Sequence, residues 1–419
     1  MSRLKSPQPV LRFTQFFGDW NEKSLGEVLS LENGFAFKSE YFSKDKTDHI
    51  VLTPGSVSID GAFQYGKGQY YKSKGRIPQK FIFKAGDIFI TMTDLTPTAQ
   101  TLGLPAIVPN DGVTYLHNQR LGKLVGYQGD YKFLFQLLKT SRYRKHIVST
   151  ASGTTVKHSS PQKVMASVNY FPTHSEQTKI GDFFQNVDQQ IKLHQDKHNK
   201  LQQLKKAMLG KMFPKAGKTV PEVRFSGFSG EWSIALLGEN ARFTKGKGYS
   251  KSDLTCSGIP IILYGRLYTN YQVVISEVNT FVNTAQEAIK SKGGEVIVPA
   301  SGETAEDIAR ASAVLQPDVI LGGDLNIIYP NQNLLPGFLA LVISYSSSQK
   351  ELAKKAQGKS VVHVRNSDLK ALQVPIPSIE EQVKISEYFQ NLDNLIALKR
   401  KKIYKLQNIK QACLGKMFV

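Results

Sequence analysis

Sulfhydryl chemistry is almost absent from this chain of 419 residues, which contains only Cys256 and Cys413. Two cysteines so far apart, without metal-ligand spacing, exclude a disulfide framework and fit a reducing cytoplasm. Long apolar runs are missing too, which excludes a membrane-spanning helix. The opening MSRLKSPQPV has no apolar stretch behind its basic residues, so no secretory signal is expected. Negative charge is the other scarcity: 34 Asp and Glu stand against 54 Lys and Arg, a formal charge of +20.

That imbalance points to a polyanionic partner, because the positive charge recurs in both halves beside aromatic and amide side chains. Nucleic acid fits better than a membrane surface. No long segment joins a basic face to a continuous bulky apolar one that could lie on lipid. An apolar share of 41% is ordinary for a globular protein, and the length suggests two or three domains with cores of their own.

The strongest positive signal is repetition. Residues 176–213 read EQTKIGDFFQNVDQQIKLHQDKHNKLQQLKKAMLGKMF, and residues 381–418 read EQVKISEYFQNLDNLIALKRKKIYKLQNIKQACLGKMF, displaced by 205 positions. A second echo joins Arg12-Phe13, Gly18, Trp20 and Leu25-Gly26-Glu27 to Arg224-Phe225, Gly230, Trp232 and Leu237-Gly238-Glu239, displaced by 212. A period this long marks duplicated domains rather than a stacked solenoid. The segments between the echoes differ, sharing few landmarks. One is Gly86-Asp87-Ile88-Phe89-Ile90 against Gly294-Glu295-Val296-Ile297-Val298.

Short apolar or β-branched runs near 49–53, 81–83, 88–93 and 106–108, and near 259–264, 273–275 and 295–299, read as strands between turn residues. Helical spacing covers 131–148 and 337–355. The expected fold is therefore α+β: two homologous mixed domains, 1–175 and 214–378, separated by long helices at 176–213 and 379–419. Thr173-x-x-Glu176 and Ser378-x-x-Glu381 are capping boxes, and Gly210 and Gly415 suit the left-handed turn that ends a helix. About 34 helical residues span roughly 50 Å.

A seam at coiled-coil spacing runs through Ile180, Phe184, Val187, Ile191, Leu201 and Met208, matched by Ile385, Phe389, Leu392, Ile396, Leu406 and Cys413. The two helices are expected to pair antiparallel, in a pseudo-twofold arrangement. Their middle is polar, with His194 and His198 in one and Lys399 in the other. Those residues are expected to fix the register.

Catalytic constellations are wanting. Ala216-Gly217-Lys218-Thr219 imitates the end of a phosphate-binding loop, but the glycine required five residues before Gly217 is Met212. His194-x-x-x-His198 has helical metal spacing without a third ligand nearby. Pro317-Asp318 with Asp368-Leu369-Lys370 makes no nuclease motif. The Asp/Asn-Pro-Pro-aromatic tetrapeptide of amino-methyltransferases cannot occur, since no two prolines are adjacent.

Arg224-Phe225 through Glu231-Trp232, Pro377-x-x-Glu380-Glu381-Gln382 and the terminal Leu-Gly-Lys-Met-Phe resemble the specificity subunits of type I restriction–modification systems. The likeness covers essentially the whole chain, and its diagnostic part is the order of domain, helix, domain, helix. The first half departs from the pattern at Gln15-Phe16-Phe17 and at Thr173-His174-Ser175-Glu176.

The resemblance implies a noncatalytic subunit whose domains each read half of a split sequence in double-stranded DNA. Its paired helices would act as a spacer, on which two methyltransferase subunits dock. Restriction and translocase subunits would complete the endonuclease. S-adenosylmethionine, ATP and Mg would bind those partners, with no cofactor or metal in this chain. An acidic DNA-mimicking inhibitor is a further expected partner.

The DNA-contact candidates follow from side-chain chemistry. The loop 64–80 offers Lys67, Tyr70, Tyr71, Lys72, Lys74 and Arg76, whose cations suit phosphates. Asn118, Gln119 and Arg120 carry groups that match base edges, though side-chain bonds within a turn explain them equally well. In the second domain the candidates are Lys245, Lys247, Tyr249 and Lys251, then Tyr264, Arg266 and Tyr268, and finally Ser301 and Thr304 in Ser301-Gly302-Glu303-Thr304. Two alternatives stand beside this reading: a stand-alone enzyme acting on nucleic acid, and a basic coiled-coil scaffold without sequence choice.

Overall fold

Two long helices organise the chain, His174–Lys211 and Ile379–Lys416, each of 38 residues. The computed structural model describes residues 7–96, 98–284, 288–358 and 361–419, so the first six residues of the basic N-terminal stretch lie outside it. The chain divides into two compact units, Met1–His194 with Lys402–Val419, and Gln195–Lys401. Each unit therefore holds one sequence-diverged domain, the start of one long helix and the end of the other.

The helix starts are only half of a capping box. Glu176 N donates to Thr173 Oγ1 and Glu381 N to Ser378 Oγ, both at 3.4 Å. The glutamate carboxylates do not return to the cap. Glu176 instead takes a two-pronged bond from Arg12, Nε to Oε1 and Nη2 to Oε2, both 2.8 Å. Glu381 takes the same pair from Arg224 at 2.7 Å. Arg12 Nη1 also donates to Gly18 O and Arg224 Nη1 to Gly230 O, each at 2.6 Å. The repeated Arg-Phe and Glu-Gln motifs are thus the two jaws of one clamp.

The helix ends differ from expectation. Gly210 and Gly415 are helical, and the helices run on to Lys211 and Lys416. No left-handed glycine is required there because another segment accepts the closing role. Leu11 N donates to Lys416 O at 2.8 Å, and Val223 N to Lys211 O at 3.0 Å.

Within the first unit Asp188 meets Lys410 at 2.6 Å, while Phe184, one turn earlier, packs on Phe418 at 6.0 Å between ring centroids. Lower numbers on one helix face higher numbers on the other, so the pairing is antiparallel. Within the second unit Lys205 meets Asp393 at 2.5 Å, and Phe389 packs on Phe213 at 6.3 Å. The expected seam is the covered one: Ile180, Phe184, Ile385, Phe389 and Leu392 are buried, and Val187, Ile191, Leu201, Met208, Ile396, Leu406 and Cys413 are half-buried.

Each unit has two principal sheets. In the first, Ser30–Asn33, Leu121–Val125, Ile88–Thr91 and Pro105–Ile107 lie in that order, all antiparallel. Its companion runs Phe42–Ser43, Gln69–Tyr71, His49–Val51, Thr114–Leu116. In the second unit the order is Ala241–Lys245, Leu325–Pro330, Glu295–Pro299, Ser312–Val314, Val274–Ile275, beside Phe281–Val282, Ile259–Ile262, Ile320–Leu321. The shared 86–90 and 294–298 landmarks become equivalent interior strands, buried at every position of Ile88–Thr91 and Glu295–Pro299.

Both expected domain helices are broken in two by a hydroxyl cap. Thr140 separates Tyr131–Leu137 from Ser141–Thr150, and Ser346 separates Pro336–Tyr345 from Ser347–Lys355. The run at 81–83 is not a strand, because Gln79–Phe81 forms a 3-10 turn.

The end of each long helix plugs the core of the unit opposite its own start. In the first unit Phe418 stacks on Phe133 at 5.3 Å and meets Trp20 edge-on at 6.3 Å. In the second, Phe213 meets Trp232 at 6.3 Å and Phe338 at 6.0 Å. These aromatic residues match one another at the repeat offsets, so the duplication is geometric as well as textual.

One half-buried cation in the first unit gives a pH signature. The Lys139 ammonium lies 4.0 Å above the Phe135 ring. Burial, and then the neighbouring Lys410 charge, pull its pKa down to about 7, against the opposing pull of Asp188 and Asp60. Between pH 7 and the ordinary lysine range the unfolded chain holds the proton that the folded one releases, so stability rises with pH there. Relative to Lys139→Met, wild-type stability is expected to climb by about 1 kcal/mol per pH unit from 7 to 9. Parallel denaturation curves for the two proteins would rule this out.

Candidate nucleic-acid interface

In both units a loop crosses a turn at a glycine, and the contact leaves no room for a side chain. A Cβ on Gly34 would lie 2.1 Å from Asn118 O, and one on Gly246 would lie 1.8 Å from Gly322 O. Phe35 N donates to His117 O at 2.8 Å and Gln119 N to Phe35 O at 3.1 Å. In the second unit Gly246 N donates to Leu325 O at 2.9 Å and Gly323 N to Gly248 O at 2.7 Å.

The backbone is shared, but its chemistry is redistributed. The first unit presents Asn118, Gln119 and Arg120 on the turn. The second has Gly322-Gly323-Asp324 there and places exposed Lys245 at the end of the strand entering the overlapping loop and exposed Lys247 on the loop itself. Behind the first turn, His117 is buried with a ring nitrogen 3.0 Å from Leu121 O. Burial pushes its pKa down to about 4, so the imidazole is a neutral strut.

The sequence candidates separate into surface groups and structural ones. Lys67, Lys72, Lys74, Arg76, Gln119 and Arg120 are exposed, and Tyr70 and Asn118 are half-buried. Val51 pairs with both Gln69 and Leu116, which puts Lys67 at the same sheet end as the 118–120 turn. Tyr71 pairs with His49 at the other end, so Lys72, Lys74 and Arg76 leave from there. Asn118 Oδ1 accepts from Arg120 N at 2.9 Å, stabilising its own turn.

Several candidates are already engaged within the fold. Tyr71 is only 1% exposed, packed edge-on against Phe37, Tyr41 and Phe42, and is core rather than contact. Arg266 is half-buried and committed to Asn279 Oδ1, Gln272 Oε1 and Glu277 O at 2.8–3.2 Å, so its guanidinium braces a loop. Burial lowers its pKa. Thr304 caps Ala305–Ile308, accepting from Asp307 N at 3.1 Å. Tyr268 donates to Ser301 O at 2.7 Å beneath the Arg310 guanidinium. Tyr249, in a left-handed conformation, donates to Thr284 O at 2.9 Å. Lys245, Lys247, Lys251 and Tyr264 remain at the surface of this unit.

One feature was overlooked in the sequence. Gly153-x-x-Val156-x-His158 recurs as Gly358-x-x-Val361-x-His363 at the helix offset of 205, inside segments otherwise diverged. In the fold both histidines approach a hydroxyl, Thr93 Oγ1 at 3.2 Å and Ser301 Oγ at 3.3 Å. The spacing alone could have revealed the match.

Two duplicated domains, with unlike loops on a common backbone, alternate with two repeated helices. The family model of the type I restriction modification DNA specificity domain matches twice, over residues 18–203 and 230–408, and the chain belongs to that family. It is a specificity subunit, which recognises DNA sequence. The EcoBI specificity subunit of Escherichia coli is 21% identical over 435 residues, covering 95% of this chain and 85% of that one. The MjaVIII specificity subunit of Methanocaldococcus jannaschii is 22% identical over 294 residues, covering 67% and 68%.

Among solved structures, the S subunit of a type I system from M. genitalium superposes with a TM-score of 0.61 at 15% identity, covering 98% of this chain and 99% of that one. A chain from a study of type I assembly and conformational transition gives 0.51 at 17%, covering 95% and 97%. These likenesses agree with the α+β, two-domain architecture.

Proposed function

We propose that the chain reads a two-part, gapped DNA sequence, one part with each unit, and holds two methyltransferase subunits on its paired helices. The observation that carries this is the common loop-on-turn backbone, with Asn118, Gln119 and Arg120 in one unit and Lys245 and Lys247 in the other. Like frames with unlike donors suit two different sequences. Continuous helices suit the role of spacer. Restriction and translocase subunits complete the assembly, and S-adenosylmethionine, ATP and Mg serve the partners. Among the described residues no cluster of three potential metal ligands occurs, and no helix is long and apolar enough to cross a membrane. The reading places the complex in the cytoplasm, where an acidic DNA mimic would compete for the basic loops.

Co-expression with the cognate methyltransferase subunit, followed by genome-wide mapping of modified adenines, tests the reading. A gapped motif is expected, and exchange of residues 1–175 for those of another family member should alter one half only. A single uninterrupted motif would defeat it. So would methylation by the purified chain alone with S-adenosylmethionine, the outcome an independent enzyme requires. Lys245→Ala with Lys247→Ala is expected to weaken binding to all duplexes and to reduce the logarithmic salt slope by roughly 2. An unchanged slope would remove both lysines from the interface.

A further inference from the structure

In each unit a histidine exchanges both backbone hydrogen bonds with the residue six positions before it. In the first, Ser152 N donates to His158 O at 3.0 Å and His158 N to Ser152 O at 2.9 Å. In the second, Gln357 N donates to His363 O at 3.2 Å and His363 N to Gln357 O at 2.8 Å. The next residue is glycine both times, at φ +95° and +142°, where a Cβ would lie 2.0 Å from Val156 O or 1.8 Å from Val361 O. The histidine also pairs across a short ladder, His158 with Thr93 and His363 with Ser301.

The glycines are explained by the turn, and the alternating backbone bonds by the ladder. The imidazoles are not. Both are exposed, whereas Thr93 is 6% exposed and Ser301 is half-buried. Each hydroxyl lies within hydrogen-bond distance of Nδ1, and in the tautomer where the hydroxyl donates there the ring carries its proton on Nε2.

We propose that His158 and His363 are paired backbone contacts, each donating Nε2–H to a phosphate oxygen of the DNA bound by its own unit. Thr93 and Ser301 orient the rings. This rests on the DNA reading above. Side chains that read different bases must differ between the units. An exposed group that recurs in both serves what both targets share, and two stretches of one duplex share their sugar–phosphate backbone. In the first unit the charged neighbours of His158 on its own ladder are engaged elsewhere. Lys157 turns its ammonium to Gly153 O at 2.7 Å, and Asp94 is occupied by Thr96, Thr101 and Leu102.

The test uses the chain assembled with its methyltransferase subunits, and fluorescence anisotropy on two duplexes of about 40 base pairs, one bearing the mapped motif and one with it shuffled. His158→Ala and His363→Ala are each expected to weaken binding to both duplexes about tenfold, and together about a hundredfold. Glutamine, whose amide nitrogen reaches the Nε2 position, should recover most of the loss, whereas asparagine, which reaches only Nδ1, should not. That pair decides the matter even if an alanine variant folds poorly. Thr93→Val and Ser301→Ala should lose less, about threefold.

Unchanged binding by the histidine variants overturns the proposal. Loss on the motif duplex alone would make the histidines base readers and overturn it as well. Variants that no longer co-elute with the methyltransferase subunits would assign the hairpins to a protein contact. A wild-type complex that binds the two duplexes equally would sink the sequence-reading proposal beneath it, a failure visible before any variant is measured.

Discussion

Arg224→Ala is expected to destabilise the second unit by about 3–5 kcal/mol, the range for removing one partner of a buried ion pair. The Glu381 carboxylate is 1% exposed and takes both forward prongs of the guanidinium, whose own exposure is 14%. Alanine leaves that charge enclosed without a counterion. It also releases the Gly230 carbonyl and unties the segment that supplies Val223 N to the end of the first long helix. Lysine cannot replace the fork, so Arg224→Lys should recover only part of the loss. The identical clamp at Arg12 and Glu176 predicts an equal cost for Arg12→Ala in the first unit. Chemical denaturation followed by the Trp20 and Trp232 signals, read in single-tryptophan backgrounds, would report each unit separately. A shift below about 1 kcal/mol in either would show that the clamp is a surface pair in effect.

Why these arginines could be found in the sequence, while other functional assignments could not, is a matter of distance along the chain and of direction. The clamp, the seam and the interior strands are built from residues whose identity the architecture dictates, so duplication left them legible at fixed offsets. The capping boxes were half legible: Thr173 and Ser378 cap as their spacing implies, but nothing local shows that Glu176 and Glu381 face arginines more than 150 positions away. Gly210 and Gly415 misled for the same reason, since their helices are closed by Leu11 and Val223 from elsewhere. Polar loops misled in another way. Arg266, Tyr268 and Thr304 have the composition of a binding surface, yet each spends its donors on neighbouring loop atoms. Tyr71 sits in a lysine-rich run and still points into an aromatic core, because strand alternation decides its face and the flanking lysines do not. The His158 and His363 hairpins were legible at the helix offset and were missed beside the longer echoes.

Phe418→Ala, just beyond the second long helix, is expected to loosen the first unit. Its ring lies against Trp20, Phe133 and Phe184 at 5.3–6.3 Å, and it is 8% exposed. A buried Phe→Ala change costs about 3–5 kcal/mol, the higher figures where the surroundings cannot collapse into the space. Three large buried rings, two of them fixed on helices, have little freedom to do so. Hydrogen exchange should therefore rise first in Tyr131–Leu137 and in the first turns of His174–Lys211, and the second unit should keep its protection. Phe213→Ala should reverse the pattern, exposing Pro336–Tyr345 while the first unit stays closed. On the DNA reading, a complex carrying Phe418→Ala should lose discrimination in one half of its motif and retain the other. If exchange instead rises in Pro336–Tyr345, the helix end does not plug the core assigned to it here. Equal loosening of both units would mean that the long helices carry strain between them, and that the two halves cannot be varied independently.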